Sequence, residues 1–236
     1  MVNRNELHIA VEPGTPLWIT INLSLLVAGA VIFFIAWRYP ARHHRIRLAK
    51  FLGVLMALTF VVNHGYHAYT GSWTLKDNLP LHLCGISNML AIVVLFTRKQ
   101  ALYEFLIFWG AGAFHAFLTP ELTRGDAPFE VVEYIISHGG IVVAGLFCTL
   151  FLHLKPRQKS WLRVFLFTQL FLPLVGLVNY LFDANYMYLA QRPDAQNPFI
   201  IGDWPWYIIG LEVALLLHIA VFYKAHSWLA KKVGGV

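Results

Sequence analysis

What this 236-residue sequence has least of is charge: Asp, Glu, Lys and Arg make up 13% of it, against 58% apolar residues. A soluble domain carries about a quarter charged residues. With a mean hydropathy of +0.60, a soluble globular domain, a disordered chain and a single-anchor protein are all excluded. Sustained polar/apolar alternation is missing too, which disfavours a β-barrel. There is no H-E-x-x-H or C-x-x-C spacing, no phosphate loop, no internal repeat and no low-complexity linker. Cysteine occurs twice.

What is present is a series of long apolar runs. A membrane-crossing helix needs about 20 apolar residues, so seven use about 140, close to the apolar share of this chain. Seven runs are read at 17–36, 48–69, 80–96, 102–118, 131–154, 161–182 and 206–223, the third and fourth being short. The expected fold is an all-α polytopic membrane protein, a single transmembrane domain over 1–236. The first run is longer than a signal-peptide core of 7–15 residues and has only Arg4 before it, so it is read as a retained helix.

The formal net charge of +6 is read as orientation charge rather than as a nucleic-acid surface, because the basic residues sit in short connections. Arg38, Arg42, Arg45, Arg47 and Lys50 flank the first connection. Arg98 and Lys99 mark the third, Lys155, Arg157, Lys159 and Arg163 the fifth, and Lys224, Lys231 and Lys232 the C-terminal end. Arg4, Lys76, Arg124 and Arg192 fall on the other side, with most of the acids, among them Glu6 and Asp194. Basic residues favour the cytoplasm, so seven spans put the N-terminus outside and the C-terminus in the cytoplasm, across the inner (cytoplasmic) membrane. The longest connection, 183–205, is rich in Trp, Tyr and Pro. It fits an interfacial aromatic belt or a lid.

Ionisable groups inside membrane helices are costly, so each needs a reason. On the seven-span topology His64, His67, His82, Cys84, His115 and His138 lie in the outer half of the bilayer, and Asn179, Tyr180 and Asp183 close the sixth run there. Cys84, Ser87 and Asn88 share a helix face by i, i+3, i+4 spacing. So do Tyr134 and His138, and Asn63 and His67. His82 points about 200° from Cys84 around the helix and is not expected to line the same pocket. Cys148 lies about 18 Å deeper than Cys84, too far for a disulfide, and reads as a small buried apolar residue. Cys84 admits two readings: a nucleophile activated by a nearby imidazole such as His138, or a buried structural thiol. The histidines at one depth also admit a metal site, although no acidic partner is evident at that level.

Leu79-Pro80-Leu81-His82-Leu83-Cys84-Gly85 and Ser137-His138-Gly139 resemble the signature of a bacterial integral-membrane family of the YwaF type. Supporting pieces are Thr119-Pro120-Glu121, Asn179-Tyr180-Leu181, Ala184-Asn185-Tyr186-Met187-Tyr188-Leu189 and Gly202-Asp203-Trp204-Pro205-Trp206-Tyr207. That family is similar to a eukaryotic multi-pass membrane acyltransferase of ether phospholipids, whose functional Cys and His match Cys84 and His138. A wider similarity is to androgen-induced membrane hydrolases of fatty-acid esters, which use Thr with His; a Cys here departs from them and leaves transferase and hydrolase both open.

The expectation is thus a lipid acyltransferase or acyl hydrolase with Cys84 as nucleophile and His138 as base, working through a thioester. Asn88, Ser87 or His82 would donate to the oxyanion. His64, His67 and His115 would tune charge or meet headgroup phosphate, with Tyr134, Asn179 and Asn185 in support. Membrane phospholipid or lysophospholipid would be donor and acceptor, with no metal or other cofactor and no nucleic-acid partner. The alternatives are a transporter or receptor with an outward polar cavity, and a His-ligated metal-dependent hydrolase.

Overall fold

The structure, a computed structural model, describes residues 9–192 and 199–233. Arg4, Glu6, Asp194 and the middle of the 183–205 connection lie outside them. The described chain is helical apart from one antiparallel pairing of two-residue strands, β1 (Ile9–Ala10) with β2 (Glu121–Leu122). The helices are α1 (Pro16–Arg38), α2 (Arg42–Tyr69), α3 (Leu83–Thr97), α4 (Gln100–Trp109), α5 (Ala111–Leu118), α6 (Pro128–Leu150), α7 (Ser160–Phe182) and α8 (Trp206–Val233).

Their ends follow from local chemistry. Pro16 opens α1 at a position where the missing N–H costs nothing, and Thr15 accepts from the Trp18 N–H at 3.3 Å. Pro128 and Glu130 begin α6 in the same manner, with the acid at the positive end of the helix dipole. Arg98, with φ 55°, ends α3 in a left-handed turn. The carbonyls of Phe117 and Leu118 at the end of α5 accept from Asn22 Nδ2 and Trp18 Nε1 on α1, both at 3.0 Å.

Several boundaries differ from the apolar runs. Residues 79–82 stay non-helical before α3, bent in a tight turn about Pro80 that the Leu81 N–H closes onto the Leu79 carbonyl at 2.8 Å, because a proline disfavours helix at the residue before it and carries no N–H. The run at 102–118 is broken at Gly110, where a Cβ would lie 2.7 Å from Ile141 Cγ2. α2 begins at Arg42 and α8 continues to Val233 because Arg, Lys, Ala and Leu are good helix formers whether or not they are apolar. α6 ends at Leu150, four residues before its run.

Among the described residues, six helices, counting α4 and α5 together as Gln100–Leu118, are long and apolar enough to cross a membrane. α3 is apolar but has 15 residues, about 22 Å of helix against a hydrocarbon core of about 30 Å. Large apolar side chains stand outward on the peripheral helices: Leu26 on α1 is 67% exposed and Leu170 on α7 79%. Such faces call for a lipid surround. The chain is an all-helical membrane protein.

α6 is the hub, touching α1 to α5 and α8. Close approach is made possible by small residues, as in other membrane bundles: a Cβ on Gly139 would meet Leu25 of α1 at 2.8 Å, and one on Gly140 would meet Met56 of α2 at 2.6 Å. Leu52, Met56, Ala91, Val94, Leu106, Ile107, Ile141, Ala144 and Phe147 form the apolar core around it.

Candidate functional site

A cavity of about 170 Å³ opens where α2, α3 and α6 meet. α2 contributes Phe60, Asn63 and His64, and α3 contributes Cys84, Gly85 and Asn88. α6 contributes Glu133, Ser137, His138 and Ile141. The connections contribute Asp77, Asn78, Pro80 and Arg124. Cys84 and His138, singled out in the sequence as a nucleophile and its base, thus line one cavity, together with Asn88 and His64.

The hydrogen bonds around His138 favour one tautomer of its ring. Nδ1 lies 3.2 Å from the Tyr134 carbonyl, which can only accept, so Nδ1–H donates and Nε2 carries the lone pair. Ser137 Oγ lies 3.2 Å from the same Nδ1, and the Tyr134 ring stacks on the imidazole at 4.3 Å. Tyr134 is itself held by its hydroxyl, which donates to the Ala116 carbonyl at 2.5 Å. Cys84 is a free, half-buried thiol, and among the described residues no hydrogen bond joins it to His138. Asn88 is 6% exposed, and its Oδ1 is buried with no hydrogen-bond partner among the described residues. Ser87 shares that lack of a partner but is fully buried and off the cavity wall. Cys148 is fully buried and free, as its surroundings in sequence suggest.

Other expected members lie elsewhere. His67 Nδ1 pairs with Ser72 Oγ at 2.9 Å, and its Nε2 faces Glu130 at 3.7 Å. His64 does reach the cavity, with Nδ1 accepting from Trp73 Nε1 at 3.0 Å. His115 does not line the cavity: its Nε2 meets His218 Nε2 in the middle of α8 at 2.5 Å. The histidines therefore do not form one cluster. Among the described residues, no three His, Cys, Asp or Glu side chains converge as metal ligands would.

His82, Asn179 and Asn185 serve as scaffolding around the cavity instead of lining it. Asn179 and Tyr186 bond reciprocally, Nδ2 to carbonyl at 2.9 Å and backbone N–H to Oδ1 at 2.8 Å. Tyr186, whose hydroxyl donates to Leu75 O and accepts from Leu79 N–H, ties that turn to the segment leading into α3. Burial raises the Tyr186 phenol above its ordinary range, so it stays a donor. His82 Nδ1 accepts from the Met187 N–H at 3.3 Å with its ring against Tyr186 and Tyr188. Asn185 closes its own turn by accepting from Ala190 and Gln191. Trp204 Nε1 and the Tyr207 hydroxyl donate to the carbonyls of Leu189 and Tyr188.

The cavity residues that sequence reading missed are Asn78, Arg124 and Glu133 as a group. Arg124 Nη1 donates to Asn63 Oδ1 at 3.1 Å. Its position in a short turn after β2 hid its proximity, since only the fold brings that turn over α2.

The model of the TMEM164 family matches residues 12–223. An uncharacterized protein of Treponema pallidum (strain Nichols) is 30% identical over 127 residues, which is 52% of this chain and 50% of the relative. The chain thus spans about half the length of that curated relative. No solved structure matches the chain.

Proposed function

The chain belongs to the TMEM164 family, and from that premise we propose a multi-pass membrane enzyme that transfers or hydrolyses acyl groups of lipids through a Cys84 thioester. One observation carries the reading: the Cys84 thiol and a His138 imidazole whose Nδ1–H is tied to Tyr134 line the same cavity. That tether leaves Nε2 as the basic nitrogen. In the reading, Nε2 takes the proton from Cys84 Sγ, and the thiolate attacks the carbonyl carbon of an ester. Asn88 Nδ2 donates to the oxyanion that forms. His138 returns its proton to the departing alcohol oxygen, leaving a thioester on Sγ. A lysolipid hydroxyl or water, deprotonated by His138, attacks the thioester and frees the thiolate, which regains the proton.

A cavity of this volume holds the reacting ester, and the hydrocarbon chain extends into lipid. Phospholipid and lysophospholipid are the partners, and no cofactor is needed by the route. Seven spans with an outward N-terminus in the inner membrane complete the proposal. It is supported by the alternation of basic connections along the chain.

The test uses purified protein and an alkyne-tagged long-chain acyl donor. The expected result is a label on Cys84 that neutral hydroxylamine removes. Cys84→Ala abolishes it, Cys84→Ser makes any label hydroxylamine-resistant, and His138→Gln slows labelling by about 10²-fold or more. Unchanged labelling and unchanged cellular lipid profiles in Cys84→Ala overturn the reading.

A further inference from the structure

We infer that Glu133 is a positioning residue for His138, acting through Ser137 as the buried counter-charge that lets the imidazole take a proton. The inference rests on the acyl-transfer reading above and deepens it.

The need is physical. When Nε2 takes the thiol proton, a cation and a thiolate appear in a largely buried cavity. Uncompensated buried charge is costly. The Tyr134 carbonyl that accepts from Nδ1–H is neutral and offsets only part of that cost. A carboxylate one hydroxyl away offsets more, as charge-assisted hydrogen bonds are about twice as strong as neutral ones.

The residues for this are in place on α6. Glu133 and Ser137 are four residues apart, hence on one helix face, and both line the cavity beside His138. The Ser137 and Asn63 side chains lie close enough to bear on the charge of the Glu133 carboxylate, and the Ser137 hydroxyl donates to the Tyr134 carbonyl at 3.3 Å. Ser137, 9% exposed, holds Oγ 3.2 Å from His138 Nδ1. Asn63 has a fixed sense: its Oδ1 accepts from Arg124, so its Nδ2 is the group left to donate towards Glu133. Once His138 is charged, Nδ1–H is shared between the Tyr134 carbonyl and Ser137 Oγ, and the Ser137 hydroxyl proton turns from the Tyr134 carbonyl to the Glu133 carboxylate. No proton leaves Ser137 or Glu133, so the balance stays with the Cys84-to-His138 transfer.

The other charged groups near this face are otherwise engaged. Asp77 accepts from the Thr74 hydroxyl at 2.7 Å, and Glu130 faces His67. His64 is held by Trp73, and Arg124 is a cation that bears on Glu133 as well as on both of those histidines. Glu133 is the acid placed next to Ser137.

The test reads Cys84 reactivity directly, without a lipid substrate. In a Cys148→Ala background, the rate of alkylation by iodoacetamide is measured near pH 7, with His138 intact and with His138→Gln. Glu133→Gln is expected to slow the reaction about tenfold when His138 is intact and to add no further slowing in the His138→Gln background. Glu133→Asp restores part of the loss, and His138→Gln loses at least as much as Glu133→Gln near pH 7. A Glu133→Gln rate equal to the parent, with His138→Gln slowed, overturns the inference and leaves the acyl-transfer reading standing. Equal slowing in the two backgrounds marks a purely structural role and overturns it too. A His138→Gln rate equal to the parent overturns both.

Discussion

At the scale of single residues, the cavity is distinguished by groups whose polarity the fold does not use for its own stability. Asn88 makes the case. Its Oδ1 is buried and unpartnered among the described residues, a state that costs about 1–3 kcal/mol. Truncation to Ala removes that cost along with some packing. Asn88→Ala is therefore expected to leave the melting temperature of the detergent-purified protein unchanged or slightly raised, while slowing acyl-probe labelling of Cys84 by about 10²–10³-fold as an oxyanion donor is lost. Thermal melting and labelling rate on the same preparation check this. A large fall in melting temperature with normal labelling refutes it. Cys148 shows the opposite case, a thiol with no cavity around it, packed as an apolar side chain.

At the scale of elements, the short motifs belong together because they build one buttress. The turn at Asn179–Tyr186 and the aromatic segment at 204–207 hold residues 186–189, and these hold the bent segment that enters α3. Gly85 is the tightest point of that entry: a Cβ there would lie 3.0 Å from Pro80 Cα and 3.1 Å from its carbonyl carbon, both backbone atoms that cannot step aside alone. Gly85→Ala is expected to cost about 1–3 kcal/mol and to slow Cys84 labelling, because the first turn of α3 must move. Gly140→Ala meets only the flexible Met56 side chain and is expected to cost less than half as much. Comparing the two melting temperatures checks the prediction, and equal losses refute it. Helix existence was legible from the apolar runs, and Cys84 facing with Asn88 was legible from helical spacing. The break at Gly110 was not, and neither was the close approach of Ile141 from another helix that leaves no room for a Cβ there, because no local pattern carries it. That His115 faces His218 on α8 was hidden for the same reason, since the pairing lies between two helices. Glu133 and Arg124 joined the site only through tertiary packing.

At the scale of the whole molecule, the two ends of the bundle are built differently. One end holds the cavity, with polar groups gathered loosely around open space. The other is closed by an ion pair that clamps the connection between α6 and α7 onto α4. Glu104, 3% exposed, accepts from Arg157 Nε at 2.9 Å, from Arg157 Nη2 at 2.8 Å and from the Arg157 backbone N–H at 2.8 Å. Gln100 adds a donor to Glu104 at 3.2 Å and a second bond to the Lys155 carbonyl at 2.8 Å. The carboxylate beside Arg157 raises the guanidinium's already high pKa, so the pair stays charged. A charge in the fourth apolar run therefore has a structural reason distinct from chemistry, which its sequence position alone did not reveal. Removing one partner strands the other: Arg157→Ala leaves a buried carboxylate with two of its four donors. The expected loss is about 2–4 kcal/mol. Replacing both partners by Leu is expected to cost markedly less than the sum of the two single changes, since no charge is left buried without its counterpart. Thermal melting of the two single variants and the double variant forms the test, with iodoacetamide reactivity of Cys84 as the readout for the far end. If the clamp and the cavity are separate devices, Arg157→Ala lowers the melting temperature while Cys84 reacts at the parent rate. Additive losses in the double variant would show that the pair is not a coupled clamp. A changed Cys84 rate well below the melting temperature would show that the two ends are mechanically joined through α6.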